Sequence, residues 1–122
     1  MVEDRRPKTI FCDIDGTLVH HPPPSAVSSK AHKMFLCPGT LDKLLEWDKK
    51  GYNIILTTGR KESLRRRTEE QLAEAGIIYD QLIMGIGGGI RVLINDRKPA
   101  GTFDTAMAIN LKRNDGIKDL DI

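Results

Sequence analysis

Short apolar runs alternate with longer amphipathic stretches along this chain, and the alternation predicts strands separated by helices. Lys8 to Ile14 (KTIFCDI) is mostly apolar and rich in β-favouring residues. It predicts a strand buried on both faces of a parallel sheet and stopped by the turn at Asp15-Gly16. Leu41, Leu44 and Leu45 give one apolar side to a helix that starts at Gly39 or Thr40 and stops at Gly51, after Lys49 and Lys50. Tyr52 to Leu56 predicts a second buried strand. Glu62 to Ala75 predicts a second helix, with Leu64, Thr68, Leu72 and Ala75 along one side and Gly76 closing it. Further strands are expected near Gln81 to Met84, Arg91 to Ile94 and Ala106 to Ile109, with a flexible Gly-rich turn at Gly87 to Gly89. Between the first strand and the first helix, Leu18 to Pro38 has no period and holds His20, His21 and a run of three prolines, Pro22 to Pro24. It reads as an irregular surface loop, long enough to serve as a lid or binding loop.

Strands alternating with helices imply right-handed crossovers, and so an α/β fold with a parallel sheet and helices on both faces. At 122 residues the chain has the size of a single domain, spanning 1–122. Hydrophobic residues at 39% and charged residues at 30% suit a folded, soluble protein. With 19 basic against 17 acidic residues the net charge is +2, which argues against nucleic acid held by electrostatics. No apolar run approaches the roughly 20 residues that span a bilayer, and Met1 to Lys8 is polar, so neither membrane insertion nor secretion is expected. Cys12 and Cys37 are too few to staple the fold and lack metal-ligand spacing, which points to reduced thiols in the cytoplasm.

In an open parallel sheet, ligands sit beyond the carboxyl ends of the strands. The first strand ends in Asp13 and Asp15, the second in Thr58, Gly59 and Arg60, and the fourth in Asn95 and Asp96 with Lys98 just beyond. Two carboxylates two residues apart, with a third across the sheet, make an oxygen-rich set that suits a hard cation such as Mg2+. A hydroxyl and cations beside that metal are what a phosphoryl group requires, since its transfer is catalysed by positioning and charge neutralisation. The expected substrate is a phosphate ester.

FCDIDGTLV at 11–19 resembles the DxDGT motif of the haloacid dehalogenase superfamily, and IILTTGR at 54–60 resembles its second motif. The resemblance implies a three-layer Rossmann-like fold with a central, mainly parallel sheet and a minimal cap. It implies Asp13 as the nucleophile forming an aspartyl-phosphate, and Asp15 as the acid and then base. It also implies Thr58 as a hydrogen-bond donor to the phosphoryl group, and a cradle for substrate at Gly16, Thr17, Gly59 and Arg60. Mg2+ is the implied cofactor, held by Asp13, the backbone carbonyl of Asp15 and Asp96, beside Asn95. Where the family pattern has a lysine shortly after Met-Gly, this chain has Ile86 and then three glycines. Lys98 is the expected catalytic substitute, ahead of Arg60, Lys61 and Arg91.

The resulting expectation is a Mg2+-dependent phosphatase acting on a phosphorylated small molecule such as a sugar phosphate. Its open site would be covered by a neighbouring subunit in a homo-oligomer or by the substrate itself. The missing lysine and Asn95 motivate an alternative, a phosphate-binding or oligomerisation module without turnover, and an open site also admits a nucleic-acid end. The remaining features read as structure. Arg65 to Arg67 is expected to form a solvated helix face paired with Glu69, Glu70 and Glu74, Cys12 to pack in the core, Trp47 to be partly buried, and the histidines to be solvated.

Overall fold

The computed structural model describes residues 4–99 and 103–122. Three parallel strands, β1 (Thr9–Asp13), β2 (Asn53–Thr57) and β3 (Gln81–Ile83), form one sheet in the order β1-β2-β3. Helix α1 (Thr40–Lys49) connects β1 to β2, and α2 (Arg65–Ala75), entered through a 3-10 turn at Glu62–Leu64, connects β2 to β3. The register pairs Asp13 with Thr57 and Thr57 with Ile83, so the carboxyl ends of all three strands finish level with one another. This is the α/β architecture that the strand and helix alternation predicts.

The core is a single cluster. Ile54 and Leu56 of β2, Cys12 of β1 and Leu82 of β3 meet Leu44 and Trp47 of α1 and Leu72 of α2, with Ile14, Leu18, Val19 and Ile117 closing it. Trp47 is 1% exposed, deeper than its expected partial burial. Burial alternates along the strands instead of holding on both faces: β1 buries Cys12 but leaves Phe11 56% exposed. β1 is an edge strand with one hydrogen-bonding side unpaired, and Phe11 lies on the face that the core cluster does not cover.

The expected strands over 91–94 and 106–109 are not formed. An apolar run favours a strand only where ladder hydrogen bonds meet it. Here the partners are local, from the Arg91 side chain to the Gly87 carbonyl and from Asn95 to the Thr105 hydroxyl. Ile90, Val92 and Ile94 consequently stand 96%, 77% and 89% exposed.

The 18–38 stretch is irregular, as expected, apart from a 3-10 turn at Pro24–Ala26, and it is fastened down. An isolated bridge joins Val19 to Leu36, and the Arg67 guanidinium donates to the carbonyls of Ser29, Lys30 and His32 at 3.0, 3.1 and 2.9 Å. Arg67 therefore departs from the solvated role expected of the arginine run: its side chain is 12% exposed and straps the loop to α2. Among the described residues no helix is long and apolar enough to cross a membrane.

Candidate functional site

β1 delivers Asp13 at its last position, and the turn that follows brings Asp15 back beside it. The turn closes on itself: Gly16 donates its N–H to Val19 at 2.7 Å, while Thr17 and Leu18 donate to Ile14 at 3.2 and 2.9 Å. Gly16 holds a φ of +89°, where a side chain is strained. The N–H groups of Gly16 and Thr17, expected to cradle substrate, are thus taken up within the turn. What Thr17 offers instead is its hydroxyl, which donates to Asp13 Oδ2 at 3.2 Å. Crowding around the Asp13 carboxyl raises its pKa above the ordinary value through desolvation. The neighbouring Asp15 charge adds to that rise, and the Thr17 and Ile14 hydrogen bonds and the Arg91 charge oppose it.

The second strand end is organised around Arg60. Its Nε and Nη2 donate to the two oxygens of Asp15 at 2.8 Å each, and its Nη1 donates to Thr68 Oγ1 at 3.1 Å and Gln71 Oε1 at 2.7 Å. The ion pair is well covered, with side chains 4% and 15% exposed. A bidentate fork of this kind fixes both the position and the plane of the carboxylate. Arg60 therefore acts on Asp15 rather than reaching outward as a free substrate contact. Thr58 is 2% exposed, and its hydroxyl accepts the Arg60 N–H at 3.1 Å, which leaves the hydroxyl hydrogen available to a ligand.

The residues leading into the Gly-rich turn are stitched to this strand end. Gly85 donates to the Arg60 carbonyl at 2.7 Å and Ile86 to the Thr58 carbonyl at 3.3 Å. Gly59 lies so close to the Gly87 carbonyl that a Cβ there would meet it at 2.8 Å, so the approach requires glycine. Arg91 is anchored on the Gly87 and Gly89 carbonyls, and its charge is the smallest of the influences on the Asp13 carboxyl, opposing the rise.

Asn95, Asp96 and Lys98 are placed elsewhere. Without the strand over 91–94, Asn95 and Asp96 do not stand at a strand end. They line an open hollow of about 330 Å³ with Leu93, Arg97, Asp104, Thr105 and Ala106. Lys98 is drawn to the segment preceding β1, where its Nζ pairs with Asp4 at 3.0 Å. The oxygen donors of Asp13 and Asp15 suit a hard cation, but among the described residues no group of three or more His, Cys, Asp or Glu is arranged to hold one. The three-carboxylate Mg2+ set expected from the sequence is therefore not assembled in this arrangement.

Sequence reasoning missed Gln71 as a neighbour of the site and ranked Arg91 low. Gln71 carried a readable signal: it stands one position before Leu72, inside the apolar arc that Thr68 and Leu72 share, and a polar residue on a buried helix face needs a buried partner. Arg91 stands at the start of an expected strand, which gave no reason to rank it above Lys98.

A chain of the Pnkp1/Rnl/Hen1 RNA repair complex is 36% identical over 64% of this chain and 25% of its own length, with a TM-score of 0.55. A second structure of a Pnkp1/Rnl/Hen1 complex gives 32% identity over 70% of this chain and 30% of its own, again at 0.55. The present chain thus spans less than a third of either. A Vibrio cholerae protein shares the fold at 18% identity, with a TM-score of 0.51 over 73% of this chain and 79% of its own. No curated protein matches. Both strand ends and the whole Arg60 network fall within residues 10–88, which match the model of the haloacid dehalogenase-like hydrolases, and the chain belongs to that family.

Proposed function

We propose that this hydrolase is a phosphomonoesterase working through an aspartyl-phosphate on Asp13. The observation that carries the reading is the pairing of a solvent-facing Asp13, held by Thr17, with an Asp15 locked two residues away by Arg60. An Asp13 oxygen attacks phosphorus, and the P–O ester bond breaks with its electron pair leaving on the ester oxygen. Asp15, which must enter this step protonated, passes its proton to this oxygen and is left as the carboxylate that Arg60 pairs. Water then attacks the phosphorus of the acyl phosphate, Asp15 receives the water's proton, and the Asp13 carboxylate is released with inorganic phosphate. Each Asp15 oxygen accepts one Arg60 N–H and keeps a second lone pair for that proton. Thr58 donates to the phosphoryl oxygens, and Arg91, not Lys98, supplies the cation in place of the family lysine. Among the described residues no third carboxylate joins Asp13 and Asp15, and the chelator arm of the experiment reads whether Mg2+ is needed.

Likeness to a chain from an RNA repair complex favours a second reading of the substrate, in which the phosphate stands at an RNA end rather than on a sugar. Phosphate release from sugar phosphates, an aryl phosphate and 3′- and 5′-phosphorylated oligoribonucleotides, with Mg2+ and with chelator, tests both. Asp13→Asn is expected to lower turnover by at least about a thousandfold while leaving the circular-dichroism spectrum unchanged. Equal phosphate release from wild type and Asp13→Asn would overturn the proposal in favour of a module that binds phosphate without turnover.

A further inference from the structure

A second cation lies against the nucleophile's own turn, carried there by the C-terminal segment. Asn114 donates its N–H to the Gly16 carbonyl at 2.7 Å, and its side-chain oxygen accepts the His21 N–H at 2.9 Å. Asn114 is the one non-glycine residue with positive φ, +68°, among the described residues. That conformation turns the chain so that the Arg113 stem crosses Gly16. A Cβ on Gly16 would meet Arg113 Cγ at 3.3 Å and Nε at 3.9 Å, and the His21 ring at 3.8 Å. Arg113 is exposed, and among the described residues no carboxylate or carbonyl takes up its guanidinium. Arg60, Arg65 and Arg67, by contrast, are each tied to acceptors of the protein. A guanidinium held by its stem with its donors open is a preformed anion contact.

We propose that Arg113, with the His21 imidazole beside it, binds a second phosphate of the substrate next to the one removed at Asp13, and so selects substrates carrying two phosphates in close reach. This rests on the phosphatase reading of Asp13. The shared chemistry is a phosphomonoester with a neighbouring phosphate group, found both in a sugar bisphosphate and in the last linkage of a phosphorylated nucleic-acid strand.

The test compares wild type, Arg113→Ala and Arg113→Lys on three substrates: an aryl monophosphate, fructose 1,6-bisphosphate and a short 3′-phosphorylated oligoribonucleotide. Arg113→Ala is expected to lower kcat/KM on at least one two-phosphate substrate about tenfold relative to the aryl phosphate, mainly through KM, as loss of one charge-assisted hydrogen bond predicts. Arg113→Lys should recover part of that ratio. Selective loss on the bisphosphate names a small metabolite; selective loss on the oligonucleotide, with a steep salt dependence, names a strand. An equal loss on all three substrates, or none, overturns the inference while the phosphatase reading stands. Binding of the bisphosphate and the labelled oligonucleotide to Asp13→Asn, with and without Arg113→Ala, gives a readout that needs no turnover. If wild type releases no phosphate, the phosphatase reading fails, and unchanged binding on loss of Arg113 would separately overturn this one.

Discussion

Two regions around the same strand end use similar residues to opposite effect. Between β1, β2 and α2, Arg60 reaches Asp15 across 45 positions of sequence and Thr68 and Gln71 across 8 and 11, and all of these side chains lie in or against the core. In residues 85–98 the polar side chains stay exposed and, apart from Lys98, which pairs with Asp4 across 94 positions, their partners are nearer: Arg91 on Gly87, Arg97 on Asp104, Asn95 on Thr105. The first region buries its polar groups and the second leaves even its isoleucines in water. A buried polar group must find its partner wherever the chain supplies one, so long-range polar contacts and burial come together. Local polar contacts satisfy the backbone without bringing two apolar surfaces into contact.

The largest expected effect breaks the first region. Arg60→Ala removes four hydrogen bonds and strands the Asp15 carboxylate in a site where the pair is nearly covered. Breaking a buried ion pair by deleting one partner costs about 3–5 kcal/mol, a large share of the roughly 5–15 kcal/mol that holds a domain together. Urea denaturation should show the unfolding free energy falling by that amount, with a correspondingly lower midpoint. A loss below about 1 kcal/mol would mean the pair behaves as an exposed one.

A smaller effect sharpens the contrast between the two cations outside that region. Arg91 bears on Asp13, whereas Lys98 pairs with Asp4 in the segment preceding β1. Arg91→Ala is expected to reduce phosphate release at least about tenfold, roughly 1.4 kcal/mol of barrier, and Lys98→Ala to leave it within about twofold. The reverse ranking in steady-state kinetics would return the role to Lys98 and bring the 91–98 segment up to the carboxyl end of the sheet.

The contrast also marks how far the sequence could be read. The strands and helices through residue 83 were legible because apolar period, glycine stops and the lysines ending α1 agreed with one another. Asp13, Thr58 and Arg60 were legible because a strand end in a parallel sheet says where a side chain will be. The use of Arg60 was not legible. An arginine following Thr-Gly at a strand end looks the same whether it faces a ligand or a carboxylate of its own chain, and only Thr68 and Gln71 on the inner side of α2 decide it. RVLIN at 91–95 misled for the complementary reason: its β-favouring residues state a preference for a pleated, half-buried surface, and no strand here provides one.

That last point sets the smallest expected effect. Ile90 and Ile94 are 96% and 89% exposed, so replacing either with serine removes no buried area. Substitutions at such positions normally fall within about 0.5 kcal/mol, and Ile90→Ser and Ile94→Ser should leave the denaturation midpoint nearly where it is. The edge of β1 beside Phe11 gives this measurement a sharp converse. If the isoleucines packed along that edge in solution, truncating one to serine would remove a buried side chain and cost about 2–5 kcal/mol, the range for large-to-small core substitutions. The two outcomes differ several-fold, so a single pair of denaturation curves decides whether 85–98 is the exposed counterpart of the Arg60 region or a fourth layer of contacts on the sheet.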